Sequence, residues 1–355
     1  MRNESLDFLK RLISTPGPSG YEEAAARVWR EEAGKFAAVS GDRMGNSFAA
    51  VGSGVPSGGP KIMLAGHIDE IGLIVTHVGD DGLVYFKGIG GWDSQVLVGQ
   101  RVVIQTASGP VSGVIGKKAI HTMSADERKK VSELKDLWID IGAADGEEAR
   151  ERVRVGDAAV IDQPFLELPN GRISSRSLDN RIGAFVVLEA LRLVHEAGGA
   201  NAEVVAVANV QEEIGLYGAR GAAFGLDPVA AVAVDVTHAT DTGGISKKEH
   251  GDHALGSGPV ISRASVLSPV VTDGLIETAE REGMEYSLEA DSSRTGTDAD
   301  AIQFTRAGVA TGVVSAPNRY MHSPNEIVAL EDLERCARLI SAWLQSVPAD
   351  ADFVR

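Results

Sequence analysis

The strongest constraint on the fold is a change of pattern in the middle of the chain. Residues 70–162 contain short β-rich runs separated by glycine pairs and turn residues, which is typical of a small barrel or sandwich. On either side, strand-like apolar runs alternate with helical periodicity, which predicts an α/β architecture. The 355 residues also exceed the ~250–300 at which single cores usually stop growing. We therefore expect a β-rich domain inserted into an α/β domain.

Local periodicity places most elements of the α/β domain. Apolar residues at helical spacing predict helices near residues 6–13, 21–36, 181–197, 274–282 and 331–344. Short apolar runs bounded by turn residues predict strands at residues 61–66, 204–210, 230–236 and 309–314. The predicted fold is thus α/β, with a central mixed sheet flanked by helices in residues 1–69 and 163–355, and a small β-barrel in residues 70–162.

Composition limits the classes of partner and the compartment. The formal net charge of −16 repels phosphate backbones and anionic lipid surfaces, and only 5% of the residues are aromatic. The single cysteine, Cys336, cannot close an intrachain disulfide, and its position on an apolar helical stripe predicts a core residue. No apolar run approaches the ~18 residues of a membrane span. We therefore expect a cytoplasmic protein that binds neither nucleic acid nor a membrane.

A histidine and two carboxylates follow the predicted strand at residues 61–66. Because residues i and i+2 of a strand share a face, His67 and Asp69 can point together, with the carboxylate accepting the second N–H of the imidazole. This pairing is typical of a metal-binding histidine with its supporting carboxylate. An exposed histidine–aspartate pair is the alternative interpretation.

Further carboxylates and a second histidine lie where other core elements begin or end. Asp179 precedes a predicted helix, where helix capping would also explain it. Glu212 and Glu213 directly follow a buried strand, either in the ligand crevice of an α/β sheet or on a solvated loop tip. Asp235 ends the next strand, and His322 follows the last one. Helix capping or a turn could explain each of these residues alone, but together they suggest a common site.

Two histidines and three carboxylates make a ligand set suited to two divalent cations of the Zn, Co or Mn type. The members of this set are His67, Asp179, Glu213, Asp235 and His322. If one carboxylate bridges, each ion has three protein ligands and keeps an open position, which is the catalytic pattern. Glu212 lies beside a ligand yet remains free, so it is the candidate general base.

The order of these motifs resembles the tetrahedral, dinuclear-metal aminopeptidases of metallopeptidase family forty-two. That family includes glutamyl and deblocking aminopeptidases and members labelled endoglucanase. The resemblance covers nearly the whole chain, and it rests on LKRLISTPGPSGYE, HIDE, GVIGKKAIH, SLDNR, QEEIGLYGA, AVDVTHA and RYMHSPNE. It implies a zinc-aminopeptidase-like catalytic domain that carries a PDZ-like insert.

The resemblance also implies a role for each candidate ligand. The aspartate of the SLDNR motif, here Asp179, would bridge the two metals. His67 and Asp235 would complete one site, and Glu213 and His322 the other. Zinc is the expected metal, with cobalt or manganese as alternatives.

The remaining implied properties concern catalysis and assembly. Glu212 would be the general base, and Asp69 would orient the metal-binding histidine. The resemblance implies a homododecamer built from dimers, with the β-rich insert mediating dimerisation. His121 lies in the family-like part of that insert, and we predict that it reaches the active site of a neighbouring subunit.

The function expected from these features is the metal-dependent release of N-terminal residues from short peptides. One alternative is an N-deacylase or carboxypeptidase with the same metals, which would need an arginine for a substrate carboxylate, with Arg181, Arg294 and Arg319 as candidates. Another is a catalytically silent, oligomeric peptide-binding shell. Residues 291–299 depart from the family's glycine-rich stretch near the substrate, and we expect neutral or apolar N-terminal residues to be preferred.

Overall fold

The computed structural model of the chain describes residues 1–51 and 59–355. The helices in these ranges are α1 (Asn3–Ser14), α2 (Glu23–Ala33), α3 (Gly146–Arg152), α4 (Leu178–Glu196), α5 (Tyr217–Leu226), α6 (Lys247–His250), α7 (Pro269–Arg281), α8 (Ala299–Ile302) and α9 (Leu330–Ser346). The helices predicted near residues 6–13, 21–36, 181–197, 274–282 and 331–344 correspond to α1, α2, α4, α7 and α9.

The described strands form one large sheet, one small sheet and one barrel. They are β1 (Ala38–Gly41), β2 (Ser47–Val51), β3 (Lys61–His67), β4 (Gly72–Val78), β5 (Val84–Ile89), β6 (Arg101–Thr106), β7 (Gly109–Gly116), β8 (Trp138–Asp140), β9 (Ala158–Ile161), β10 (Leu166–Leu168), β11 (Arg172–Ser175), β12 (Glu203–Asn209), β13 (Ala230–His238), β14 (Val260–Ser262), β15 (Ser287–Glu289), β16 (Ala310–Asn318) and β17 (Glu326–Ala329).

The large sheet is mixed and has eight strands in the order β1-β2-β12-β3-β13-β16-β14-β15. Its four central strands, β12, β3, β13 and β16, run parallel to one another. The register pairs Asn209 of β12 with His67 of β3, and Asp235 of β13 with Ser315 of β16. The carboxyl ends of these strands therefore meet at one edge, which is where α/β sheets bind ligands.

Helices cover both faces of this sheet. Ile62 and Leu64 of β3 belong to the larger core with residues of α1, α4 and α9, whereas Met63 and Ala65 pack on the opposite face with residues of α5. Successive strand residues point to opposite faces, so a strand covered on both sides needs an unbroken apolar run. The sequence of β3 meets that requirement, and the predicted α/β fold with helices flanking a mixed sheet is confirmed.

The β-rich segment forms a closed barrel. Its strands follow the order β4-β5-β8-β7-β6-β9, and β4 pairs with β9 to complete the ring. The buried apolar residues of the barrel form a core cluster of their own, which includes Leu73, Ile104 and Ile139. The polar stretch at residues 124–135 is largely exposed. The predicted small β-barrel is thus confirmed, and its closure leaves no sheet edge open.

Two sequence inferences concern Cys336 and membranes. Cys336 is fully buried on α9, and burial raises the pKa of its thiol well above the usual value, so it is a core residue as predicted. No helix within residues 1–51 and 59–355 combines the length and apolar character needed to cross a membrane. The cytoplasmic location expected from the sequence stays a prediction.

Candidate metal centre

The five predicted metal ligands lie around one cavity at the carboxyl edge of the large sheet. His67 ends β3, Asp235 lies in β13, Glu213 follows β12, His322 follows β16, and Asp179 lies at the start of α4. All five line a cavity of about 530 Å³. The parallel strands bring together side chains that are far apart in sequence.

Asp179 lies between the two histidines. Its Oδ1 is 3.3 Å from Nε2 of His67, and its Oδ2 is 3.4 Å from Nε2 of His322. Oε2 of Glu213 is also 3.4 Å from Nε2 of His322. One carboxylate therefore presents a separate oxygen to each imidazole, which is the placement expected of a ligand shared by two ions.

The start of α4 shows why Asp179 is free to face the cavity. The backbone of Asp179 and Asn180 is not helical, and the side chain of Asn180 accepts the N–H of Gly183 at 2.9 Å. The same amide donates to the carbonyl of Val234 at 2.7 Å. Asn180 therefore caps the helix. The sequence analysis had given this capping role to Asp179 as an alternative to metal binding.

The donor atoms fall into two overlapping groups. Donor atoms of His67, Glu212 and Asp235 lie within 4.8 Å of one another, and so do those of His67, Asp179 and Glu213. Oε2 of Glu212, the predicted base, is 3.7 Å from Nε2 of His67. The predicted base and the predicted ligands are thus adjacent.

Asp69 connects two parts of the site. Its Oδ1 is 3.3 Å from Nδ1 of His67, as its predicted orienting role requires. Its two oxygens also accept the backbone N–H groups of Glu212 at 3.1 Å and Glu213 at 3.2 Å, and Ser19 donates to it at 2.6 Å. This fully buried carboxylate therefore holds the histidine and the two-glutamate loop in one arrangement, a link that the sequence did not reveal.

Replacing Asp69 with asparagine tests this positioning role. The amide would turn an N–H group toward one of the donors that the carboxylate accepts, so we expect metal affinity to fall about 10–100-fold. Competition with a chelator of known affinity measures the change. Asp145→Asn is the matched control, because Asp145 also accepts a backbone N–H, that of Glu148, but lies on the barrel. Equal metal affinity in Asp69→Asn and the wild type would contradict the role.

A barrel loop and a buried glutamate hold the second histidine. Nδ1 of His322 lies 2.9 Å from the carbonyl of Gly91, which leaves Nε2 facing the carboxylates. Glu326 accepts the backbone N–H of His322 at 3.0 Å and that of Asp179 at 2.9 Å. The sequence analysis missed both partners, although Glu326 ends the HSPNE motif.

Three carboxylates of the centre are difficult to ionise together. Burial is the main cause that raises the pKa of Glu212 to about 10 and that of Glu213 to about 8. Burial also raises the pKa of Asp235 well above its usual value, and the nearby Asp179 adds to the effect. Positive charge placed among these groups would relieve both the desolvation and the repulsion.

The two histidines experience the opposite influence. Burial by itself lowers the pKa of His67, but Glu212, Asp179 and Asp69 raise it well above the usual value. The hydrogen bond to Asp179 raises the pKa of His322 to about 9. The site thus attracts positive charge, whether as protons or as metal ions.

The donors fit divalent cations. Oε1 of Glu213 is buried without a hydrogen-bond partner among the described residues. An unpaired buried carboxylate oxygen is costly, and a cation would satisfy it. A mixed set of imidazole nitrogens and carboxylate oxygens suits Zn, Co or Mn.

Four further cavity-lining residues, which the sequence analysis did not assign to the site, lie on the wall beyond the metal cluster. These are His238, His250, Glu289 and Asp291. His238 ends β13, so the strand-end argument that selected Asp235 could have found it. Glu289 ends β15, which has only three residues and no apolar run, so no sequence signal marked it or Asp291.

The arginines proposed for a substrate carboxylate have other partners or positions. Arg181 is fully buried and bound to Glu70 at 3.0 Å and to backbone carbonyls. Arg319 pairs with Asp241 at 2.6 Å, and Arg294 is exposed. No arginine or lysine is among the described residues that line the cavity. The carboxypeptidase or deacylase alternative therefore lacks the contact it needs.

His121 does not contribute to the cavity of its own chain. It is exposed in the short turn at Ile120–Thr122, in the loop after β7, and is absent from the described cavity wall. Its contact with a neighbouring subunit stays a prediction.

The mixed sheet and the histidine–carboxylate cluster at its edge define an α/β metallohydrolase. The family model described as M42 glutamyl aminopeptidase matches residues 45–339. The chain belongs to this peptidase M42 family of metallopeptidases, and it is an aminopeptidase. The family suggested by the motifs is therefore confirmed.

Known relatives match along almost their full length. The lysyl aminopeptidase of Pyrococcus furiosus is 34% identical over 349 residues, which cover 96% of this chain and 97% of the relative. The TET aminopeptidase of a marine sediment archaeon of the Thaumarchaeota superimposes with a TM-score of 0.92 at 36% identity, covering 97% and 96% of the two chains. The TET1 peptidase of Pyrococcus horikoshii superimposes with a TM-score of 0.85 at 33% identity, covering 97% and 100%.

Proposed function

We propose that the chain is a dinuclear metallo-aminopeptidase that removes N-terminal residues from short peptides. The observation that carries this proposal is Asp179, whose two oxygens lie 3.3 and 3.4 Å from the two histidines. His67 and Asp235 would hold one ion together with Asp179, and Glu213 and His322 would hold the other. Zinc is the expected metal, with cobalt or manganese as alternatives.

Glu212 is the proposed general base and acid. Bound divalent cations would supply Lewis acidity and lower the pKa of water. Glu212 takes a proton from the attacking water and returns it to the leaving amine. Its side chain is 10% exposed, and its backbone N–H is held by Asp69 at 3.1 Å, so the base is shielded and fixed in position.

The size and charge of the cavity support a preference for the ends of short peptides. A volume of about 530 Å³ admits a few side chains but not a folded protein. The described cavity wall contains carboxylates and no lysine or arginine, which favours a substrate with a free α-ammonium group. A blocked N-terminus has no such charge, so acylated peptides should bind poorly.

Metal removal and restoration tests this function. We expect the purified protein to release single N-terminal residues from unblocked peptides and aminoacyl-p-nitroanilides. Chelation should abolish the release, and Zn, Co or Mn should restore it. N-acetylated peptides are the matched control and should remain intact. Activity confined to the acetylated peptides, or full activity after complete metal removal, would contradict the proposal.

We also propose that the chain self-associates as a homododecamer built from dimers. The related TET1 peptidase of Pyrococcus horikoshii can assemble into a tetrahedron or a large octahedral shell. The barrel, taken as an inserted domain of residues 70–162, is the proposed dimerisation unit. Its separate core and the exposed Ile120 and Val131 on its polar loop support that role.

A further inference from the structure

The cavity extends beyond the metal centre to a second wall at the β14–β15 side of the sheet. Glu289 and Asp291 lie on this wall together with Thr237, His238, His250 and Thr295. The total volume of about 530 Å³ is within the ~300–1,000 Å³ typical of ligand sites. A substrate whose scissile bond lies at the metal centre has room to place a side chain against this wall.

The cavity wall carries more acidic than basic side chains. The described lining residues include Asp179, Glu212, Glu213, Asp235, Glu289 and Asp291, and no lysine or arginine. Two divalent cations would balance the first four carboxylates by formal charge. Glu289 and Asp291 would then remain as negative charge facing the substrate.

Two histidines of the wall, His238 and His250, lie near that charge. Burial and the neighbouring His250 lower the pKa of His238, which favours the neutral form of this ring. His250 packs edge-on against His238 with ring centroids 5.5 Å apart. It is the one basic residue, among those described, that acts electrostatically on both Glu289 and Asp291.

Glu289 is held in a defined orientation. Thr237 of β13 donates to Oε1 of Glu289 at 2.6 Å, while β15 pairs with β14 and aligns Glu289 with Ser262. Glu289 is half-buried yet lines the cavity, so its carboxylate has lost part of its hydration. An ammonium or guanidinium group would restore the lost interaction by a charge-assisted hydrogen bond.

We infer that Glu289 and Asp291 select peptides whose N-terminal residue is lysine or arginine. This inference rests on the proposed aminopeptidase function and replaces the neutral or apolar preference expected from the sequence. An acidic side chain would meet two like charges on the same wall. A purely apolar side chain would cover the carboxylates without pairing them, which is costly.

A pair of nearly isosteric substrates tests the inference. Lysine and norleucine carry the same four-carbon side chain and differ by the terminal ammonium group. With the metal-loaded protein, we expect kcat/KM for lysyl-p-nitroanilide to exceed that for norleucyl-p-nitroanilide about 10–100-fold, the range for hydrogen bonds to charged groups. The glutamyl substrate should be the poorest of the three.

Substitutions assign the effect to the two carboxylates. Glu289→Gln keeps an acceptor for Thr237, and Asp291→Asn keeps the side-chain shape. Each should reduce the lysine-to-norleucine ratio of kcat/KM by about tenfold, mainly through a loss on the lysyl substrate. Asp252→Asn is the matched control, because Asp252 lies near this wall in sequence but is exposed and outside the cavity. Its ratio should equal that of the wild type.

The outcomes separate this inference from the proposed function. Cleavage with equal or higher kcat/KM for norleucyl or glutamyl substrates would overturn the inference and leave the aminopeptidase intact. A loss of lysyl and norleucyl turnover to the same extent in both variants would also overturn it. If no anilide were cleaved, the proposed function would fail. Calorimetric binding of lysinamide and norleucinamide to the metal-loaded protein would then decide the inference, which requires tighter lysinamide binding.

Discussion

Replacing Glu212 with glutamine is expected to lower kcat by about 10²–10⁴-fold while both metal ions stay bound. Glutamine has almost the same shape as glutamate but cannot take a proton from water. The backbone N–H of residue 212 would still donate to Asp69, so the loop should keep its position. Steady-state kinetics together with metal analysis of the purified variant measure both parts of the prediction.

Glu285→Gln provides the control for Glu212→Gln. The side chain of Glu285 is 83% exposed and lies outside the cavity, so this variant should retain wild-type kcat. Full activity of Glu212→Gln would exclude Glu212 as the base. Loss of a metal ion from that variant would instead indicate that Glu212 is a metal ligand. Oε2 of Glu212 lies 3.7 Å from Nε2 of His67, which is close enough for this alternative.

Replacing Asp179 with asparagine is expected to release at least one of the two ions and to lower kcat/KM by at least about 10³-fold. The amide can offer an oxygen to only one side and must turn its NH₂ group toward the other. The ion on the side of the NH₂ group would then lose one of its three proposed protein ligands. Metal analysis after dialysis and activity at saturating zinc measure the change.

Asp350→Asn is the control for this substitution, because Asp350 is exposed near the end of the chain. Thermal unfolding with and without zinc shows whether Asp179→Asn still folds, and we expect zinc to stabilise the variant less than the wild type. Retention of two ions with wild-type turnover would refute the shared-ligand assignment.

The electrostatics of the centre connect these predictions. Burial raises the pKa of both Glu212 and Glu213, because each ionised carboxylate lacks water and lies near others of the same charge. Divalent cations would stabilise the ionised forms and lower both pKa values. A base that ionises only when its neighbours are neutralised would link metal binding to catalytic competence.

Motif spacing predicted which donor side chains lie close together, but it did not predict the residues that hold those side chains in position. The argument that ligands gather at the carboxyl ends of parallel strands selected His67, Asp235 and Glu213 correctly as neighbours. The same argument could not show that Gly91 of a barrel loop would meet His322. A backbone carbonyl has no identity in the sequence, so only its position in space reveals the contact.

By itself, the sequence determined the longer elements and their apolar faces, because helical and strand periodicity depend on residues within about one turn or one strand of each other. The strands β3, β12 and β13 and the helix α9 follow from that local pattern. Only the tertiary structure decided what Asp179, Asp69 and Glu289 face. Asp179 could cap a helix or enter the cavity, and the answer depends on Asn180 bonding to Val234, 54 residues away. Asp69 holds backbone groups 143 and 144 residues away, and such contacts arise only when strand order and register are set.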